Sequence, residues 1–448
     1  MSSSIVIRNA EVVLTMDGAN GILRRQSILV KDGVIEAIGD YATIVSAYGQ
    51  PDEVIDGREK IVMPGLVDMH THIAMTGFRG LASDAGDVIY RVFWPLERNL
   101  NPETTYRLAL LGALEAIKSG VTTIVDHYFF MDEIARAVSE VGLRGFLGHT
   151  YMDTDGPFTG SEELKKAFEF IEKWRNHPFI TPVLAPHATD TVHRENLILF
   201  AEKARENNLF LHFHLAQTER EFKIVHQRTG YTPVQYALRL GLLGSKTIVA
   251  HANYVFPEER SLLAHTGSII AQCPSTYLLS GTRFHAYDYW QYGGNIAIGT
   301  DAPCYNDNID FFEEMRLLVY GQRLLNEKSG LWKAEDILEM ATKASSRLLG
   351  LKTGIVKRGF EADLVLLDMR RTHLRPAFNP YSLIVYSAMA GDVDTVIIKG
   401  KVVVKGGRHV NLDEERIIHS GEAAAVTLIR NALNENPELE NYLRIKEI

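Results

Sequence analysis

FLHFHLAQTERE, residues 210–221, decides how this chain is read. It opens as a short apolar run carrying His212 and His214 and ends in a polar turn, the pattern of a buried strand whose end is chemically equipped. The two histidines are two residues apart and so share one face, His212 one pleat deeper than His214. That position suits His212 to packing or to orienting a ligand.

Working outward, seven more runs have the same texture: GLVDMHTH (65–72), TTIVDHYF (122–129), RGFLGHTYM (144–152), ITPVLAPHA (180–188), TIVAHANYV (247–255), SIIAQCPST (268–276) and NIAIGTDAP (295–303). Amphipathic stretches such as DEIARAVSEVG (132–142) and ENLILFAEKARENN (195–208) separate most of them, with apolar residues at i, i+3 and i+4. Eight strands alternating with helices predict an α/β fold, a closed parallel (β/α)8 TIM barrel. No GxGxxG follows any strand, which argues against an open dinucleotide-binding sheet. The connection from about Ile73 to Asn101 is long enough to be a lid or binding loop.

The chain ends differ from the middle. SIVIRNAEVVLT and SILVKDGVIEAIG near the start, and ADLVLLDM and DTVIIKGKVVVKGG near the end, are short β-like runs with turn residues between them. The expected organisation is a small β-sandwich from residues 1–63 and 354–420, a barrel over 64–353, and a terminal helix over 421–448.

The 448 residues are 46% hydrophobic and 23% charged, with a net charge of −9 and no Lys/Arg cluster. Nucleic acid and anionic membrane are therefore not the expected partners; a small molecule is. Two cysteines, Cys273 and Cys304, make no disulfide framework. The start, MSSSIVIRNAEVVLTMDG, does not read as a secretory signal, and no run of about 18 apolar residues occurs. A cytoplasmic protein is expected, and the apolar final helix and long first loop suggest a homo-oligomer.

Of 16 histidines, eight fall at or near predicted strand ends: His70, His72, His127, His149, His187, His212, His214 and His251. Asp301 ends the eighth strand. This is the face where barrel enzymes carry their chemistry. The H-x-H pair His70 and His72 can reach one ion from one strand, and His214 and Asp301 can complete the set. Three imidazoles and a carboxylate suit one divalent metal, Zn²⁺ first and Fe²⁺ second. Such a metal lowers the pKa of its water to about 7. Singly, H-x-H is more often two polar residues than a ligand pair, and His127 and His149 read as structural or supporting; the conjunction carries the argument.

At these residues the chain resembles the amidohydrolase superfamily, in the branch of cytosine, guanine and methylthioadenosine/S-adenosylhomocysteine deaminases and s-triazine chlorohydrolases. PGLVDMHTH (64–72), LAPHATDTV (184–192), HFHLAQTERE (212–221), IVAHANYV (248–255), AIGTDAP (297–303) and VYSAMAGDVDTVIIKGKVVV (385–404) carry the likeness, which spans essentially the whole chain. The resemblance implies hydrolytic deamination of an aminated heterocycle by metal-bound hydroxide. His70, His72, His214 and Asp301 would bind the metal, Asp301 would also move protons, and His251 would polarise the reacting centre or steer the water. It further implies substrate contacts from His187, from Glu97 in WPLE, and from Arg144 in GLRGFLG. Strand four has no lysine, so a carbamate-bridged pair of metals is not implied.

The chain departs from the family in two places. Gln217 stands where most of the branch has a proton-shuttling glutamate, and a carboxamide carries no proton at neutral pH. Glu219 and Glu221 follow in the turn and are expected to face elsewhere. After Asp301 the family's small residues are replaced by PCYNDN, with Pro303 and Tyr305 reshaping the leaving-group side. A hydrolase expelling chloride, a thiol or an alkylamine is therefore the alternative. A metal-binding barrel without turnover is the third reading.

Overall fold

The computed structural model describes residues 4–443 except 19, 20, 82, 85 and 87. Its centre is the expected barrel. The eight strands are Leu66–Thr71, Val121–Tyr128, Arg144–Tyr151, a broken fourth (Ile180–Pro182 and Ala185–Pro186), Leu211–Leu215, Thr247–His251, Ile269–Gln272 and Asn295–Ile298. Neighbours pair in parallel from one to four and from five to eight. Single bridges close the two gaps: Leu184 and Ala188 meet Leu211 and His214, and Thr71 meets Asp301. The strands are buried along nearly their whole length, as parallel strands covered by helices must be.

Strands from both chain ends form a second sheet of nine, with Lys60–Pro64 pairing antiparallel to Leu364–Asp368. Strand Ser4–Leu14 meets Glu53–Asp56 along its first half and Lys60–Pro64 along its second. Alternation divides the side chains of these two strands: Ile7, Val13 and Val62 enter a separate, smaller core, while Val12, Leu14 and Met63 join the barrel's hydrophobic core. The last long helix runs Glu414–Glu435. It starts before Gly421 because Asp413 caps it, its carboxylate accepting the Arg416 N–H at 3.1 Å. Among the described residues no helix is long and apolar enough to cross a membrane.

The long connection after strand one folds over the barrel mouth. It forms a 3₁₀ turn at Ile73–Phe78 and helical turns at Ile89–Phe93 and Trp94–Glu97.

Candidate active site

Strands one to six deliver their histidines to one end, and hydrogen bonds fix which nitrogen several of them present. His72 Nδ1 donates to the His127 carbonyl at 2.8 Å, and His214 Nδ1 to the His187 carbonyl at 3.1 Å. His70 Nδ1 lies 2.9 Å from His212 Nε2, so His212 orients a neighbour, as its deeper pleat suggested. The Nε2 atoms are left to converge: His72 and His214 at 3.3 Å, with Asp301 Oδ1 3.5 Å from His70 Nε2 and 3.7 Å from His72 Nε2. Outer partners that set ring orientation are what metal-binding histidines require.

The donor set fits a cation. Among the described residues, His70 Nε2, His251 Nε2 and Asp301 Oδ2 are buried without a hydrogen-bond partner, which is costly for groups with no ligand to meet. Burial and neighbouring imidazoles hold His70 and His214 well below the usual histidine pKa, so their lone pairs are free for a ligand. Burial, reinforced by other imidazoles, also lowers His187 and His251, each to about 3, although Asp301 opposes this at His251. His72 is the exception. Burial disfavours its charge, but the Asp126 and Asp301 carboxylates outweigh that and raise its pKa.

Asp301 and His251 both adopt positive φ, +61° and +79°. Non-glycine residues in that region mark functional positions more often than chance. Asp301 Oδ1 accepts the Ala302 N–H at 2.8 Å, while its own N–H bonds the His70 carbonyl at 2.8 Å. His251 Nδ1 lies 3.2 Å from the Tyr277 hydroxyl.

Two neighbouring cavities with shared wall residues lie here. A deep chamber of about 70 Å³ is lined by His72, His187, His214, Glu97 and Asp301. An outer vestibule of about 670 Å³ contains His251, Asn253, Arg220 and Cys304. Tyr90, Gln217 and Tyr305 border both. Glu97 is buried in the chamber wall, accepts the Tyr128 hydroxyl at 2.6 Å, and is pushed up to about 7 by burial.

Three expectations change. Arg144 is not at this site. It begins strand three, at the opposite end of the barrel, and its guanidinium grips Asp363 (2.5 and 3.1 Å) and Glu361 in the chain-end sheet. Glu221 does not face elsewhere. It lies in the first turn of helix Glu219–Thr229, buried, and its carboxylate accepts the Gln217 N–H at 2.8 Å and the Thr189 hydroxyl at 2.6 Å. Burial and then Asp190 push it up to about 8. Glu219 does stay outside, paired with Lys223. His127 is closer than a supporting role implied: its ring joins His70, His72 and His214 in one group of ligand atoms within 4.8 Å of one another. His149 instead bonds Glu163 at 2.8 Å.

Sequence reading also missed two carboxylates that tie the site together. Asp68 accepts from Thr300 (N–H at 3.0 Å, hydroxyl at 2.6 Å), joining strand one to strand eight. Asp126 accepts the Ile73 N–H at 3.0 Å and faces His72 Nδ1 at 3.8 Å. Each precedes a site histidine by one or two residues, in VDMH and VDH, and that spacing was the available signal.

Residues 61–403 match the amidohydrolase family. The chain belongs to that family. This amidohydrolase is 36% identical over 420 residues to the 5-methylthioadenosine/S-adenosylhomocysteine deaminase of Pyrococcus furiosus, covering 92% of this chain and 98% of that one. It is 36% identical over 433 residues to the 5'-deoxyadenosine deaminase of Methanosarcina mazei, covering 95% and 99%. The crystal structure of an adenosine deaminase from Xanthomonas campestris with bound zinc superposes with a TM-score of 0.91 at 26% identity, covering 96% and 99%.

Proposed function

We propose that this amidohydrolase releases ammonia by hydrolysis from an aminated, cyclic-amidine heterocycle, with purine-, pyrimidine- and triazine-like rings as the candidate substrates. The observation that carries this reading is the convergence of His70, His72 and His214 Nε2 with Asp301, beside a vestibule of about 670 Å³. His70, His72, His214 and Asp301 would hold one divalent ion, zinc first. Bound there, the ion supplies Lewis acidity and acidifies a water.

The chain's own residues do the rest. Asp301, one carboxylate oxygen free of protein partners, takes a proton from the attacking water and returns it to the leaving amine. His251 faces the vestibule as a neutral imidazole and directs the water or the new oxygen. His187 and Glu97 line the chamber and offer hydrogen bonds to a substrate entering it. Phe93 and Trp94, both buried, line it as well.

Ammonia release by the zinc-loaded protein over aminopurine nucleosides, guanine-like bases, cytosine and aminotriazines tests the reading. Release from one class names the substrate; silence with zinc bound overturns deamination. One observation favours a second reading. Gln217 borders both cavities and cannot carry a proton, which matters less for a leaving group such as chloride that departs unprotonated. Chlorinated and thioether analogues are the panel for that outcome.

Two further results are expected. Stripping the protein with a chelator and restoring zinc at about 100 times its Kd should add about 2.7 kcal/mol of stability. The gain, read as a rise in Tm, should vanish in His214→Ala. Gln217→Glu should raise aminopurine deamination by about 100-fold, the lower end of what general acid–base help contributes. No gain, with zinc retained, would mean that the substrate does not use a proton from that position.

A further inference from the structure

With Gln217 in place of a carboxyl, something else must steady the charge that builds on the ring nitrogen when water adds to the neighbouring carbon. Tyr305 is a candidate for that role. It borders both chamber and vestibule, and its ring meets Phe93 edge-on with centroids 5.3 Å apart. Its hydroxyl is buried and, among the described residues, has no hydrogen-bond partner. A buried donor left unpaired is costly, so the fold carries an uncompensated hydroxyl on a residue that borders the substrate space.

The loop that holds it is fixed. The Tyr305 N–H bonds the Ala302 carbonyl at 2.8 Å, and the Asn306 amide donates to the Thr300 carbonyl at 2.9 Å and to Glu314 at 3.2 Å. Burial, then the neighbouring Cys304 and Asp301, raises the phenol well above its usual pKa, so it remains a donor.

Resting on the deaminase reading, we propose that Tyr305 is a catalytic residue whose hydroxyl donates a hydrogen bond to the ring nitrogen adjacent to the attacked carbon. The reaction then balances without a protonated carboxyl. The water oxygen bonds the amidine carbon, its released proton passes to Asp301, and the C=N π pair moves onto the ring nitrogen. Tyr305 stabilises that pair and keeps its own proton. Asp301 returns its proton to the exocyclic amine, which leaves as ammonia with the C–N bonding pair while the ring pair re-forms C=N. The product is a lactim that isomerises to the lactam in solution. This route favours electron-poor, nitrogen-rich rings, because the ring nitrogen is never fully protonated.

Tyr305→Phe tests this on the fastest substrate of the panel and on a series of rings of graded electron demand. Losing one donor of this kind should lower kcat by about 10²–10³-fold with KM changed less than about threefold. The loss should be greatest on the most electron-rich ring. Adding Gln217→Glu to Tyr305→Phe should restore much of the rate, which a packing defect would not allow. Retention of more than a third of kcat, a loss confined to KM, or a loss that Gln217→Glu does not rescue overturns the proposal. Absence of ammonia release by the unmutated protein overturns the deaminase reading instead, and Tyr305 falls with it.

Discussion

Asp301→Asn should abolish turnover, with kcat reduced by about 10⁴-fold or more while the protein stays folded. The side chain serves two purposes. It faces His70 and His72 as the anionic member of the proposed cation-binding set, and it carries the proton from water to the leaving group. General acid–base help alone is typically worth 10²–10⁴-fold. Asparagine also removes the charge that balances a divalent ion. The seam of the barrel should survive, because it uses the main chain: the Asp301 N–H to the His70 carbonyl, and the bridge to Thr71. Ammonia release, zinc content and melting temperature measured together decide the matter. A variant that keeps more than a tenth of kcat would remove Asp301 from the mechanism.

The second large effect is on stability. Arg144→Ala should destabilise the protein by about 3–5 kcal/mol, because it strips the partner from buried charges. Asp363 is only 2% exposed and accepts both the Arg144 guanidinium and the Lys399 N–H. Without the arginine, that carboxylate stays buried with one backbone donor. The pair joins barrel strand three to the chain-end sheet, so the denaturation midpoint should fall. KM and kcat of the folded fraction should be unchanged. A raised KM at undiminished stability would return Arg144 to the substrate site.

Arg144 also shows where sequence reading succeeds and where it fails. The eight strands were legible because each is a short apolar run ending in a polar, often histidine-bearing, turn. That periodicity fixes strand direction, and strand direction alone places Arg144 away from the site. It begins a strand whose other end carries His149, five residues or about 17 Å away. The motif likeness pointed the other way, and geometry prevailed. Glu221 was hidden for a different reason. The Thr-x-x-Glu spacing of Thr218 and Glu221 marks the start of helix Glu219–Thr229, but the burial of Glu221 also depends on its distant contact with Thr189, which no local pattern encodes. The proposed metal-binding residues were readable because they sit at strand ends. The carboxylates Asp68 and Asp126, which hold neighbouring strands and turns in place, needed the three-dimensional pairing to reveal their partners.

The pairing of Lys60–Pro64 with Leu364–Asp368 has a consequence during synthesis. The earlier strand leaves the ribosome with its partner about 300 residues from being made. Until then its apolar edge, with Ile61, Val62 and Met63, is an open template for any passing strand. Contacts this distant in sequence also close slowly. A nascent chain that stalls inside the barrel, or a product truncated before residue 364, should therefore depend on chaperones and be prone to aggregation even when every residue of the active site has been translated.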